Sequence, residues 1–327
     1  MPAISIVSVV LLLVSATALP GKSEFQLVGK ILQSDGTPFG RKMPVSVFLY
    51  GTLTPFSAET QAELDGRFRF KNLPAGTYNL VVNVQRAGEI RKTIEVGPSF
   101  ADSKGRVAVT LTFEQAGRLE KGQLVSATEL SIPADAKREY DRAEECLSRR
   151  DIDCAISHLK KAVAIGPQYA LAWNRLGTIA YQTQKYQQAE EYFREALKQD
   201  PQSYSPLVNL GGALLSQGKV KESLPVNEAA VRARPDDALA HSQLGKSYYF
   251  LDQLDDAESH LKQAKGLDPS HFSYPGLVLI NIYLRKNRVP DAVTEIEEFM
   301  KLHPDSEWTA KLRKFLEDSR AHPSPEP

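Results

Sequence analysis

Cysteine is scarce in this chain: 327 residues contain two, Cys146 and Cys154. Two cysteines cannot build a disulfide scaffold, and they are too few for a cysteine-based zinc site. Net charge is missing as well, since Lys plus Arg total 40 and Asp plus Glu total 40. A neutral chain without a basic run lacks the electrostatic footprint that nucleic acid or anionic lipid requires. Beyond residue 20 no apolar run approaches the ~20 residues of a membrane span. The signatures of catalysis are absent too: there is no His-Glu-x-x-His, no Gly-x-Ser-x-Gly and no phosphate-binding loop. Gly21-Lys22-Ser23 lacks the upstream glycine of such a loop. Among the six histidines none pairs at metal-ligand spacing along a helix. No catalytic, cofactor-binding or metal-ligating residue is assigned, and no enzymatic activity or cofactor is expected.

What is present begins with an export signal. Ile4 to Val14 is an apolar core diluted by Ser5 and Ser8, and Ala16 and Ala18 supply the small-x-small cleavage pattern. Residues 1–18 are therefore expected to be a signal peptide cut after Ala18. The mature protein is then exported: periplasmic, cell-envelope or secreted. No Lys or Arg precedes the core. The rival, an uncleaved anchor helix from Ile4 to Leu19, is short for a span. No cysteine follows the core, which argues against a bacterial lipid anchor. The length fits two domains, and 42% apolar residues suffice for their cores.

Residues 24–113 carry the punctuation of an all-β domain. Seven strands are predicted: Phe25–Leu32, Val45–Tyr50, Ser57–Glu63, Arg67–Phe70, Thr77–Gln85, Glu89–Val96 and Arg106–Phe113. Val45, Val47 and Leu49 alternate with polar residues at period two. Turn residues separate the segments, and Asp65-Gly66 between strands signals a hairpin. Short strands at this spacing point to a β-sandwich. The run from Asp65 through Phe68, Phe70 and Leu73-Pro74-Ala75-Gly76 to Tyr78 resembles the signature hairpin of carboxypeptidase regulatory-like domains. Val28-Gly29-Lys30-Ile31 and Asp35-Gly36-Thr37-Pro38 fit the same pattern. The resemblance implies a transthyretin-like, seven-stranded Greek-key sandwich with no catalytic group of its own. Phe68 and Phe70 are then expected to fill it.

A polar linker, 114–135, leads to a helical, periodic region. Pro167, Pro201, Pro235 and Pro269 are 34 residues apart, and Pro304 follows 35 later. Such a period means stacked helical hairpins. Trp173, Leu176, Gly177, Tyr181, Ala189, Phe193, Ala196 and Pro201 stand at offsets that resemble the tetratricopeptide repeat. The resemblance implies an all-α solenoid of five units: 136–169, 170–203, 204–237, 238–271 and 273–306. A capping helix at 307–320 and a disordered tail at 321–327 follow. Gly177 and Ala189 are read as small residues that let paired helices approach, with Gly211 facing Ser223 in the third unit. Ser223 and Asn227 stand where Ala and Phe are usual, so loose packing is expected there. His241 takes the place of Trp173, and packing is its expected role.

These readings make the chain an exported, non-enzymatic protein–protein interaction scaffold. Its partner, a protein or peptide, is expected in the concave groove lined by Tyr140, Asn174, Thr178, Tyr181, Asn209, Leu215, Lys246, Tyr249 and Asn281. Tyr181, Leu215 and Tyr249 recur 34 residues apart. They form either a docking stripe or packing between hairpins. Only Asn209 matches the carboxylate clamp of some family members, so that activity is not expected. The alternative is a carbohydrate- or cell-wall-binding protein that takes a glycan on the sandwich, with Tyr50 and Phe56 as loop-edge rings. Cys146 and Cys154 flank the turn of the first hairpin. They are either bridged or reduced and buried.

Overall fold

Alternation of apolar and polar residues generates the N-terminal strands. In the computed structural model of the chain, which describes residues 24–38, 45–84, 88–113 and 131–321, seven strands form two sheets. They are β1 (Phe25–Gln33), β2 (Val45–Gly51), β3 (Ser57–Gln61), β4 (Arg67–Leu73), β5 (Gly76–Val84), β6 (Gly88–Val96) and β7 (Arg106–Phe113). One sheet has the order β4-β1-β7, the other β3-β2-β5-β6. Strand β7 runs parallel to β1, and the remaining pairs are antiparallel. Leu27, Ile31, Phe68 and Phe70 from the first sheet meet Val47, Leu49, Leu80 and Val82 from the second in one buried cluster. Gly29 is needed where it stands. A Cβ there would lie 2.0 Å from the Phe68 ring.

The strands fall where the sequence places them, but two expected hairpins do not form. Asp65-Gly66 joins β3 to β4, and Leu73-Pro74-Ala75-Gly76 joins β4 to β5, yet β4 pairs with β1 alone. Both turns carry the chain from one sheet to the other. Turn chemistry reports a local reversal and leaves the pairing partner open. The predicted signal peptide, the predicted linker up to residue 130 and the predicted tail from residue 322 lie outside the described residues.

The remainder is helical, with eleven helices among the described residues. They run as antiparallel pairs: α1 (Ala134–Ser148) with α2 (Ile152–Ile165), α3 (Ala170–Gln182) with α4 (Tyr186–Gln199), and α5 (Tyr204–Ser216) with α6 (Val220–Ala233). Then come α7 (Ala238–Phe250) with α8 (Leu254–Leu267), α9 (Pro275–Arg285) with α10 (Val289–Leu302), and the single α11 (Glu307–Ala321). Every hairpin turn has one geometry. Arg150, Gln184, Gly218, Asp252 and Asn287 all have φ between 55° and 74°. The next residue's N–H returns to a carbonyl five residues back, as in Lys185 to Ala180 at 2.8 Å and Arg288 to Tyr283 at 2.8 Å. This is a left-handed helix stop that closes the last turn.

The repeat residues pack with one change from expectation. The Phe193 ring lies against Gly177, where a Cβ would come within 2.5 Å of it. In the third hairpin the residue over Gly211 is Asn227, whose Oδ1 would be 1.8 Å from a Cβ at that position. Ser223, expected opposite Gly211, points instead to the fourth hairpin and meets Ser247 Oγ at 3.0 Å. Asn227 Nδ2 donates to the same Ser247 oxygen at 2.9 Å. A fully buried polar seam thus replaces the expected loose packing. His241 reproduces the contact of Trp173. The indole N–H donates to Pro167 O at 2.8 Å, and His241 Nε2 lies 2.9 Å from Pro235 O.

Candidate functional site

Alternation in β2, β5 and β6 leaves a second face on the four-stranded sheet, turned away from the core. Tyr50, Asn79 and Thr93 lie side by side across it, as do Phe48, Val81 and Arg91. An outer face of a sheet is ordinarily solvated. Here Val81 is 9% exposed and Thr93 is 4% exposed. The cover is the chain's own helical array. The sheet lies along the side presented by the first helices of the hairpins and the loops before them.

The contacts run from the first helix to the loop before the last. Ser57 donates to Glu144 of α1 at 2.7 Å. Arg150, in the α1–α2 turn, donates to Asn72 O at 3.0 Å and covers the Phe56 ring at 5.0 Å. Arg175 of α3 pairs with Glu144 at 2.6 Å and lies over the Tyr50 ring at 5.2 Å. Gln182 donates to Gly51 O at 2.7 Å. Further along, the Thr93 N–H donates to Asp268 at 3.2 Å, and the Tyr274 hydroxyl reaches Thr77. At the far end His303 bonds Glu95, while Ser99 donates from its backbone and its hydroxyl to Asp305 at 3.1 and 2.5 Å. Gly97 leaves room for that carboxylate, because a Cβ there would lie 2.5 Å from Asp305 Oδ2.

The electrostatics suit a closed contact. Burial alone would lower the Arg175 pKa, but Tyr140, Glu144 and Tyr50 around it turn the shift upward, so the guanidinium stays charged. Burial pushes the Lys246 amine down to about 8, and its Nζ donates to Ser273 O at 2.8 Å. Burial takes His271 down to about 4, so this ring is neutral near pH 7.

The nine residues expected to line the groove are placed as follows, Lys246 donating to Ser273 O. Tyr140 packs on Tyr169 at 5.3 Å. Asn209 donates to Asn174 at 3.3 Å, and Thr178 bonds the Asn174 carbonyl. Tyr181 takes a bond from Ser216 of the next hairpin at 3.2 Å, and Leu215 packs half-buried on the same α5 helix. Arg285 of the following hairpin covers Tyr249 at 5.6 Å. Asn281 donates to Leu277 O within α9. Tyr181 and Tyr249 therefore join neighbouring hairpins. The residues that meet the sheet are Glu144, Arg150, Arg175, Gln182, Asp268, Tyr274, His303 and Asp305. Their sequence signals are slight, since Asp268 and His303 merely precede the repeat prolines. The rings proposed for a glycan, Tyr50 and Phe56, lie under Arg175 and Arg150. Cys146 and Cys154 are joined by a disulfide across the first hairpin, with Cα atoms 5.8 Å apart.

Comparison with known proteins agrees with the repeat. Tetratricopeptide-repeat family profiles match residues 170–203 and 208–272, so the helical part carries tetratricopeptide repeats. Anaphase-promoting complex subunit 7 of Arabidopsis thaliana is 27% identical over 183 residues, which cover 53% of this chain and 32% of the relative. The Hsp70-Hsp90 organising protein of Plasmodium falciparum is 24% identical over 159 residues, covering 49% of this chain and 61% of the relative. The matches thus span about a third of the first relative and under two thirds of the second. Among solved structures, MamA residues 41 to the end from Desulfovibrio magneticus RS-1 has 26% identity and a TM-score of 0.46, covering 59% of this chain and all of that one.

Proposed function

We propose that this chain is an exported, non-enzymatic scaffold whose tetratricopeptide groove holds a protein surface: its own β-sheet at rest, and a partner's in exchange. One observation carries the reading. The outer face of the four-stranded sheet is seated along the repeats by bonds from Glu144 of α1 to Asp305 before α11. A groove that satisfies a folded sheet in this way is shaped and polarised for polypeptide. The relatives are named as a subunit of a complex and as an organising protein, which accords with a holding role. In this reading residues 1–18 are a cleaved signal, and 24–113 form a carboxypeptidase regulatory-like Greek-key sandwich. Residues 114–135 are the linker, 136–306 the five repeats, 307–320 the cap and 321–327 a disordered tail. The glycan alternative gains nothing from Tyr50 and Phe56, whose rings face arginines.

Capture from envelope extract tests the reading, with the full-length chain set beside an Arg175→Ala/Asp305→Ala variant. Loosening the sheet is expected to raise recovery of the same protein partners several-fold. Equal recovery by both chains and by an unrelated tagged control would reject groove exchange.

A further inference from the structure

The first hairpin holds a chemical group that the scaffold role leaves unused. Cys146 on α1, and Cys154 and His158 one turn apart on α2, bring two sulfurs and a ring nitrogen within 4.8 Å of one another. His158 Nδ1 lies 2.6 Å from Glu139 Oε2, which leaves Nε2 as the nitrogen available for a ligand. A carboxylate behind a histidine in this way fixes the ring's orientation and tautomer and is the usual support for a metal-bound imidazole. Cys146 is buried, while Cys154 and His158 are half-buried, so the set is packed yet open on one side. Arg149 Nη2 stands 3.8 Å from Cys146 Sγ, a cation that favours the thiolate over the thiol.

We propose that this hairpin is a redox-gated zinc site: a disulfide when oxidised, and a Cys146–Cys154–His158 site for Zn²⁺ when reduced. A dithiol reductant gives two electrons and two protons to the Cys146–Cys154 bond and leaves as its own disulfide. The two thiols then release two protons, and the thiolates with neutral His158 bind one Zn²⁺. Two thiolates cancel the charge of the ion. Zinc held at 2.3 Å by each sulfur needs the sulfurs about 3.8 Å apart in a tetrahedral arrangement. Side chains on backbone positions 5.8 Å apart reach that by rotation, without moving the helices. Three protein ligands leave the fourth position to solvent. The count of two cysteines argued against a zinc site in the sequence; the fold adds His158 as a third ligand, at a spacing, Cys-x7-Cys-x3-His, that crosses a helix turn and so escapes a search for Cys-x-x-Cys or paired histidines.

Cobalt is the probe. The full-length chain is reduced with a phosphine, freed of it without oxygen and titrated with Co²⁺. About one equivalent is expected to bind with a thiolate-to-cobalt charge-transfer band and tetrahedral visible bands, and Zn²⁺ is expected to displace it. The oxidised chain, folded and otherwise identical, should show neither band. Glu139→Gln should weaken binding roughly tenfold to a hundredfold, and His158→Ala at least as much, with circular dichroism confirming helix content. Cobalt uptake by the reduced chain no tighter than by a Cys146→Ser/Cys154→Ser variant, or equal uptake by the oxidised chain, would overturn the proposal.

Discussion

At the scale of single residues, two glycines in the third hairpin make opposite predictions. A Cβ at Gly211 would lie 1.8 Å from Asn227 Oδ1, inside a fully buried seam. Gly211→Ala is expected to cost about 1–3 kcal/mol, read from denaturant unfolding. Adding Asn227→Ala removes the obstructing atom, so the double variant should recover part of the loss, with a coupling of about 0.5–3 kcal/mol. Strict additivity would show that Asn227 does not lie over Gly211. Gly218 has φ 74° but nothing within 4 Å of a Cβ. The left-handed conformation costs a side chain about 1–2 kcal/mol. The loss of glycine's freedom in the unfolded chain returns roughly 0.4–1 kcal/mol. Gly218→Gln, which copies the residue at Gln184, should therefore cost between about 0 and 1.6 kcal/mol by the same measurement. A loss as large as that of Gly211→Ala would mean that the five turns are not equivalent.

Elements were legible in the sequence where their cause is local. The period of 34 between prolines placed every hairpin, and alternation placed all seven strands within a few residues. Two things were hidden for physical reasons. The left-handed turn residue recurs at the same period, but only Gly218 shows it, because the closing backbone bonds hold Arg150, Gln184, Asp252 and Asn287 in that conformation without glycine's help. The contacts between the sheet and the helical repeats were hidden too. Ser57 and Glu144 are 87 residues apart, and Glu95 and His303 are 208 apart. No spacing rule links such pairs. Once the sheet is seated, Gly97→Val should push the Asp305 carboxylate off Ser99. The expected outcome is a larger radius of gyration in small-angle scattering, with the helical signal retained. An unchanged radius together with unchanged protease resistance would count against the docking at this end.

On the scale of the whole molecule, titration should reveal which charges the fold was built around. Burial, then the neighbouring His241, lowers the His260 pKa, and burial takes His271 down to about 4. Both rings are held neutral by the native state, so their contribution is complete above the unfolded value near 6.5. It is lost as pH falls from there, in the case of His271 toward 4. Two carboxylates act in a lower window. Burial would raise Glu190, but Lys219, Gln217 and Arg194 bring it to about 2. Lys262, Lys286 and Arg288 do the same for Glu258. Their stabilisation is present above 4.5 and lost as pH falls toward 2. The melting temperature should therefore drop in two steps, and His271→Gln should flatten the upper one alone.

The seating of the sheet also changes what kind of folding unit the repeats form. A free helical array is held only by nearest-neighbour contacts, so it frays from its ends and melts hairpin by hairpin. Here the end of the last hairpin is fastened to β6 and the turn after it, more than 200 residues earlier, by Glu95 to His303 and Ser99 to Asp305. The array is closed like a strung bow, and neither end can loosen without releasing the string. Amide exchange at the two terminal hairpins should be slow and matched, at the rate of the central ones. In the Asp305→Ala variant, α10 and α11 should exchange first and uncouple from the rest. The array would then have traded the independence of its repeats for a single cooperative transition.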